Sequence, residues 1–152
     1  MSDDKMSPQK EQFVTFLKEL YEDDFQYYLD QFECYHEWLV EENQKINLIS
    51  RKMDVEVYWT LHYLDSILTV GFLDFYEKKI LAFGTGGGLP GIPLRILHPN
   101  SEITFLDSKQ KKINSISEGA AKLGFDNCDF MAGRMEELPR AMDESFDIIV
   151  CR

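Results

Sequence analysis

Between Ile80 and Leu94 the sequence reads ILAFGTGGGLPGIPL. An apolar run enters, Gly84, Gly86, Gly87 and Gly88 follow almost together, then Pro90-Gly91, and a second apolar run leaves. Glycine permits left-handed dihedrals and lets another group come close to the main chain. Set between two apolar runs, such a stretch reads as a buried strand that turns abruptly into a helix, the opening unit of a parallel α/β sheet.

The surrounding pattern agrees. KKILAFG, EITFLDS, CDFMAG and SFDIIVCR read as four strands. GIPLRILH and KQKKINSISEGAAKLGF read as helices between them, the second ended by Gly124, and MEELPRAM as a short helical or loop segment. Strands alternating with helices at this spacing predict right-handed βαβ units and an open parallel sheet. Before Glu77 the pattern is all helix. Phe13, Phe16, Leu17 and Leu20 share one stripe over Pro8 to Glu22, with Ser7-Pro8 suited to cap and first turn. Phe25, Tyr28, Leu29, Phe32, Tyr35, Trp38 and Leu39 form an aromatic-rich stripe over Asp24 to Gln44, a face for packing in a core rather than for stacking bases. KINLISRKMD is a connector, and Asp54 caps a third helix expected to run to Val70. The division expected is a helical region, 1–76, packed on a sheet-bearing core, 77–152. The last strand is apolar on both faces and should lie inside a sheet. With the chain stopping at Arg152, that strand lacks its covering helix, and the sequence is expected to be the front part of a longer protein.

A hydrophobic content of 44% supplies enough apolar mass for a core, and no apolar stretch approaches a membrane span. Met1 to Lys10 is polar and has no signal-peptide core, which points to the cytoplasm. Cys34, Cys128 and Cys151 are dispersed; the expectation is reduced thiols, some of them buried, with no disulfide framework and no metal site. The net charge of -11 weighs against a nucleic-acid partner, since phosphate contacts need clustered Lys and Arg. Acids crowd the first part of the chain, including Asp3, Asp4, Glu22, Asp23, Asp24, Glu41 and Glu42, while Lys109 to Lys112 is locally basic.

The glycines leave the cofactor open. A phosphate-cradling loop would end in Gly-Lys-Ser/Thr, and none is present. Gly86, Gly88 and Gly91 fit a dinucleotide fingerprint formally, but Leu89-Pro90 falls where its helix should begin. Gly84, Gly86 and Gly88 fit the Gly-x-Gly-x-Gly loop of S-adenosylmethionine sites. Asp107, closing the second strand, can accept hydrogen bonds from the ribose that both cofactors carry, or with Ser108 can simply cap the next helix.

The order of HYLDSI, FGTGGGLPGIPL, FLDSKQKK, GRMEEL and FDIIVCR resembles the glucose-inhibited division protein B family over residues 25 to 152. Its members are bacterial S-adenosylmethionine-dependent methyltransferases of N7 of a guanine in small-subunit (16S) ribosomal RNA. The resemblance implies a class I methyltransferase fold, a Rossmann-like parallel sheet cut off here after its fourth strand, behind an N-terminal all-helical region. It implies that Gly84, Thr85, Gly86, Gly88 and Leu89 line the methionine and ribose end of the cofactor. Asp107 and Ser108 would meet the ribose or adenine, with Arg134, Met135 and Glu136 on the adenine side. Arg152 would stand near cofactor and base. Two positions depart from the family pattern: Ala82 replaces the acid two residues before the first glycine, and Leu61 replaces the basic residue before His62.

Methyl transfer to N7 is an in-line displacement that needs positioning and no general base, so no Ser-His-Asp set is expected. His62, Asp65 and Ser66 share a helix face and form a polar cluster, either beside the cofactor loop or within helix packing. Lys109, Lys111, Lys112, Arg51 and Lys52 are candidates for RNA phosphates; Arg134 and Glu136 can pair; Asn47 suits a turn. Two rival readings remain at this stage: an NAD-dependent oxidoreductase, and an inactive methyltransferase-like binding protein.

Overall fold

The Ser7 hydroxyl accepts the Lys10 N–H and Pro8 opens helix α1 (Pro8–Tyr21), the cap and start expected from the sequence. The computed structural model describes residues 5–142 and 145–152; Asp3 and Asp4, two of the acids near the N-terminus, lie outside them. Helix α1 buries Phe13, Val14 and Leu17. Helix α2 (Phe25–Lys45) buries Leu29, Phe32, Tyr35 and Leu39. Its aromatic stripe is a core face: the Phe32 ring meets Phe13 edge-on at 4.8 Å, and Phe13 lies 5.3 Å from Trp59.

The third helix departs from the expectation. Asp54 does cap, its carboxylate accepting the Glu56 N–H at 2.9 Å. The segment then runs as a 3₁₀ turn (Val55–Val57), a π-helical stretch (Trp59–Leu64), a short α3 (Asp65–Ile67) and a second 3₁₀ turn (Leu68–Gly71). Tyr58 and Tyr63, five residues apart, are both buried, as is Trp59. A wider turn brings such a pair to the same side, which a regular 3.6-residue turn does not.

The sheet is parallel, in the order β3-β2-β1-β4, from β1 (Lys79–Phe83), β2 (Glu102–Asp107), β3 (Cys128–Ala132) and β4 (Ile148–Cys151). Helix α4 (Gly91–Leu97) joins β1 to β2, and α5 (Gln110–Lys122) joins β2 to β3. Gly124, at φ +74°, follows α5 as expected. Central β1 buries Ile80, Leu81 and Ala82, whereas β4 is an edge strand that exposes Ile149. Helix α2 meets the sheet-bearing part through glycines. A Cβ on Gly119 of α5 would fall 2.4 Å from the Trp38 ring, and one on Gly87 would fall 2.8 Å from Leu39 Cδ1. The Tyr35 hydroxyl donates to the Gly87 carbonyl at 2.6 Å, tying α2 to the glycine loop.

The cysteines correct one expectation. None of the three is fully buried: Cys34 and Cys151 are exposed and Cys128 is intermediate. Burial still pushes the Cys128 thiol up to about 11.

Candidate functional site

Two clefts open beside the loop that follows β1, and Gly84 lines both. One, of about 280 Å³, is bounded by Gly84, Asp107, Ser108, Arg134, Met135 and Glu136, with Phe83, Leu106 and Gly133 behind them. The other, of about 240 Å³, lies between the loop and the connector, and takes in Gly84, Thr85, Gly86, Leu89, His62 and Arg152, with Leu48–Ser50 opposite. Most of the sequence candidates thus gather around one loop, drawn from the ends of all four strands and, with His62, from the π-helical stretch. A larger groove, about 540 Å³, runs along α1 beside Glu11, Thr15, Glu19 and Leu68. It holds none of these groups.

Left-handed dihedrals at Gly84 (φ +63°), Gly86 (φ +51°) and Gly88 (φ +94°) bend the loop. Gly88 lines neither cleft. Its space is taken by Ile92, whose Cγ1 would sit 2.6 Å from an added Cβ, and its carbonyl accepts the Ile92 N–H at 2.6 Å. Most loop N–H groups are also engaged within the protein. Those of Gly88 and Leu89 donate to the Thr85 carbonyl at 2.8 and 3.0 Å, and that of Gly86 donates to Asp107 Oδ2 at 3.1 Å. The cradle of outward-facing amides that a bare loop suggests is therefore largely spent within the protein, on the turn itself and on β2. What remains open is the empty space over Gly84, where a Cβ would meet nothing within 4 Å.

Asp107 is engaged within the protein: its Oδ1 accepts the Lys109 N–H at 2.9 Å in a turn just before α5, which has no side-chain cap, while Oδ2 accepts the Gly86 N–H of the loop. A carboxylate has acceptor sites beyond these two. Arg134 and Glu136 stand at 4.0 Å, the outer limit of a pair, and both are largely exposed. Ala82 is fully buried, in register with Phe105 on one side and Val150 on the other, and it lines neither cleft.

The His62–Asp65–Ser66 cluster divides. Ser66 turns inward and donates to the His62 carbonyl. Arg152, distant in sequence, joins the other two: Nε stands 3.3 Å from Asp65 Oδ2, Nη1 2.7 Å from His62 Nδ1, and Nη2 donates to the Leu61 carbonyl. Burial, with the Arg152 cation beside it, pulls the His62 imidazole down to about 4. His62 and Thr85 line this cleft, and their Nε2 and Oγ1 atoms are buried without a hydrogen-bond partner among the described residues.

Sequence reading missed Asn43, and it saw Tyr35 only as part of a core face and not as a tie to the glycine loop. Asn43 is buried, and its Oδ1 accepts the N–H groups of Leu48 and Ile49 at 2.8 and 3.0 Å, shaping the connector wall. Its setting in EENQK looks like a solvated helix end, and only the intermittent asparagine among charges marks it. Asn47, by contrast, is exposed. Arg51 is committed to the connector, donating from Nε to the Asn43 carbonyl at 2.8 Å, whereas Lys52, Lys109 and Lys111 are exposed and Lys112 is half-buried. Among the described residues no helix is long and apolar enough to cross a membrane, and no three His, Cys, Asp or Glu side chains converge as metal ligands would.

A protein-family profile described as GidB, rRNA small subunit methyltransferase G, matches residues 28–152. The chain is 43% identical over 124 residues to the ribosomal RNA small subunit methyltransferase G of Macrococcus caseolyticus, covering 80% of this chain and 52% of that protein. It is 40% identical over 127 residues to the protein of the same description from Streptococcus gordonii, covering 81% of this chain and 53% of that one. The chain spans about half the length of these relatives. Among solved structures it resembles the YcgJ protein from Bacillus subtilis, with TM-score 0.51 and 29% identity, over 60% of this chain and 38% of that one. A protein-L-isoaspartate O-methyltransferase shares the fold at TM-score 0.50 and 13% identity, over 93% of this chain and 47% of that one.

Proposed function

We propose, from the premise that this chain belongs to the GidB family of rRNA small subunit methyltransferase G, that it transfers a methyl group from S-adenosylmethionine to N7 of a guanine in small-subunit ribosomal RNA. The observation that carries this reading is the pair of clefts meeting at Gly84, one walled by Asp107 and the Arg134–Glu136 segment, the other by Thr85, His62 and Arg152. Such a pair suits a ligand with a nucleoside end and a charged tail. The residues fit that group: Gly84 is uncovered, Thr85 offers a buried hydroxyl without a partner, and Asp107 keeps acceptor capacity for ribose hydroxyls.

When bound, the cofactor supplies a sulfonium-activated methyl group. In this reading Asp107 and Ser108 hold the ribose, and Arg134, Met135 and Glu136 close over the adenine. Gly84, Thr85, Gly86, Leu89 and Arg152 surround the methionine end and the reacting base. Gly88 acts through the backbone, holding the turn. N7 carries its own lone pair, so the chain need only exclude water and hold donor and acceptor in line. Exposed Lys109 and Lys111, which follow the cleft-lining Ser108 in the sequence, are the cations we assign to RNA phosphates in a chain of net charge -11. We place the protein in the cytoplasm, and we take 1–76 as the helical region and 77–152 as the methyltransferase core.

A second reading is an inactive methyltransferase-like binding protein, favoured by Ala82 standing where the family pattern has an acid. Calorimetry with S-adenosylhomocysteine and with NAD, followed by labelled methyl incorporation into unmodified small-subunit RNA, separates the cases. Binding of the homocysteine compound together with incorporation is expected. Binding without incorporation supports the second reading, and binding of NAD alone overturns both.

A further inference from the structure

The contact between Arg152 and His62 settles which imidazole nitrogen carries the proton. A guanidinium has donors only, so Arg152 Nη1, at 2.7 Å, makes His62 Nδ1 the acceptor. A neutral imidazole that accepts at Nδ1 bears its hydrogen on Nε2. Burial and the neighbouring cation favour the neutral ring. Nε2–H is therefore a buried donor with no partner among the described residues, on a side chain that lines the cleft with Thr85, Gly86 and Leu89. An unmade donor at such a place calls for an acceptor brought in by a ligand.

The charges nearby are already matched. Arg152 is paired with Asp65 and donates to the Leu61 carbonyl, so the donor left over belongs to a neutral ring, which a neutral carbonyl satisfies. A guanine presents N7 and O6 as adjacent acceptors on one edge, whereas adenine replaces O6 by an amino donor. A donor at O6 leaves the N7 lone pair unblocked and opposes adenine, whose amino hydrogens would face Nε2–H.

We propose that His62, held in its Nε2–H tautomer by Arg152, is a specificity-determining residue that donates to O6 of the guanine whose N7 is methylated. This rests on the methyltransferase reading above. It assigns His62 to the substrate base, with no proton transfer in the reaction.

The test uses the full chain saturated with S-adenosylhomocysteine. Long-range ¹⁵N NMR of the His62 ring is expected to show a protonated Nε2 and an acceptor Nδ1. Guanosine 5′-monophosphate should bind about tenfold tighter than 2-aminopurine riboside 5′-monophosphate, which keeps N7 but lacks O6. His62→Phe should reduce that preference to within about twofold, while His62→Gln, which retains an amide donor and guards against a merely misfolded variant, should keep part of it. A ring protonated on Nδ1, a preference that survives in a folded His62→Phe, or no binding of either nucleotide overturns the proposal. So does a His62→Phe variant that loses affinity for S-adenosylhomocysteine and keeps its guanine preference. Failure of the wild-type chain to bind S-adenosylhomocysteine overturns instead the reading on which the proposal stands, and takes the proposal with it.

Discussion

Gly86 has no room for a side chain. A Cβ there would stand 2.8 Å from the Leu48 carbonyl oxygen, and its φ of +51° penalises any L-residue. Gly86→Ala is expected to cost more than about 1 kcal/mol in urea unfolding, because the strain falls on the native state. Ala82 poses the opposite case. An acid at this position would be buried between Phe105 and Val150, where Ala82 is now wholly enclosed. Ala82→Asp should lower the unfolding free energy of the ligand-free chain by roughly 1–3 kcal/mol, and an unchanged urea midpoint would show that the carboxylate finds donors. At this scale the sequence was informative where chemistry and spacing coincide. Gly84, Asp107 and the Arg134–Glu136 segment stand together around one cleft because short loops follow adjacent parallel strands. Gly88 matched the same spacing and lies outside the clefts, since spacing does not say which way a turn faces.

Among elements, the connector between α2 and the π-helical stretch depends most on one side chain. Asn43 holds the amides of Leu48 and Ile49, and Leu48 in turn abuts Gly86. Asn43→Ala takes the acceptor from the Ile49 amide and leaves Leu48 only the Ile46 carbonyl, and is expected to cost about 1–3 kcal/mol. Hydrogen exchange at Leu48 and Ile49 should quicken with that loss, ahead of exchange in β1. No local pattern announces this role, because the acceptor and its two donors meet only once the chain doubles back. The same holds for the third helical segment. Its apolar spacing reads as a regular helix, and the burial of Tyr58, Trp59 and Tyr63 against α1 and α2 selects the wider turn. The α1 start, the end of α5 at Gly124 and all four strands were legible beforehand, since caps, glycines and apolar runs act over a few residues.

For the whole molecule, the histidines set a pH dependence of one sign. Burial lowers His62 to about 4, and burial also lowers His36 and His98. In the unfolded chain these rings take up protons near 6.5. Between roughly pH 6.5 and pH 4 the unfolded state therefore binds more protons than the native state, and stability falls as pH falls through that window. The contribution is complete above about 6.5. Urea midpoints measured across this range should rise with pH and then level, and a flat profile would contradict neutral buried rings. By itself the sequence determined the class of fold, a parallel sheet behind a helical region, and the glycine loop beside which the two clefts open. Both follow from periodicity and glycine placement, which act locally. Tertiary structure alone decided that Arg152 clasps His62 and Asp65, that the Asn43 carboxamide faces the amides of Leu48 and Ile49 behind the second cleft, and that the loop amides turn to acceptors within the protein. Each joins groups far apart in sequence or depends on the direction a backbone atom faces, and only packing sets distance and direction together.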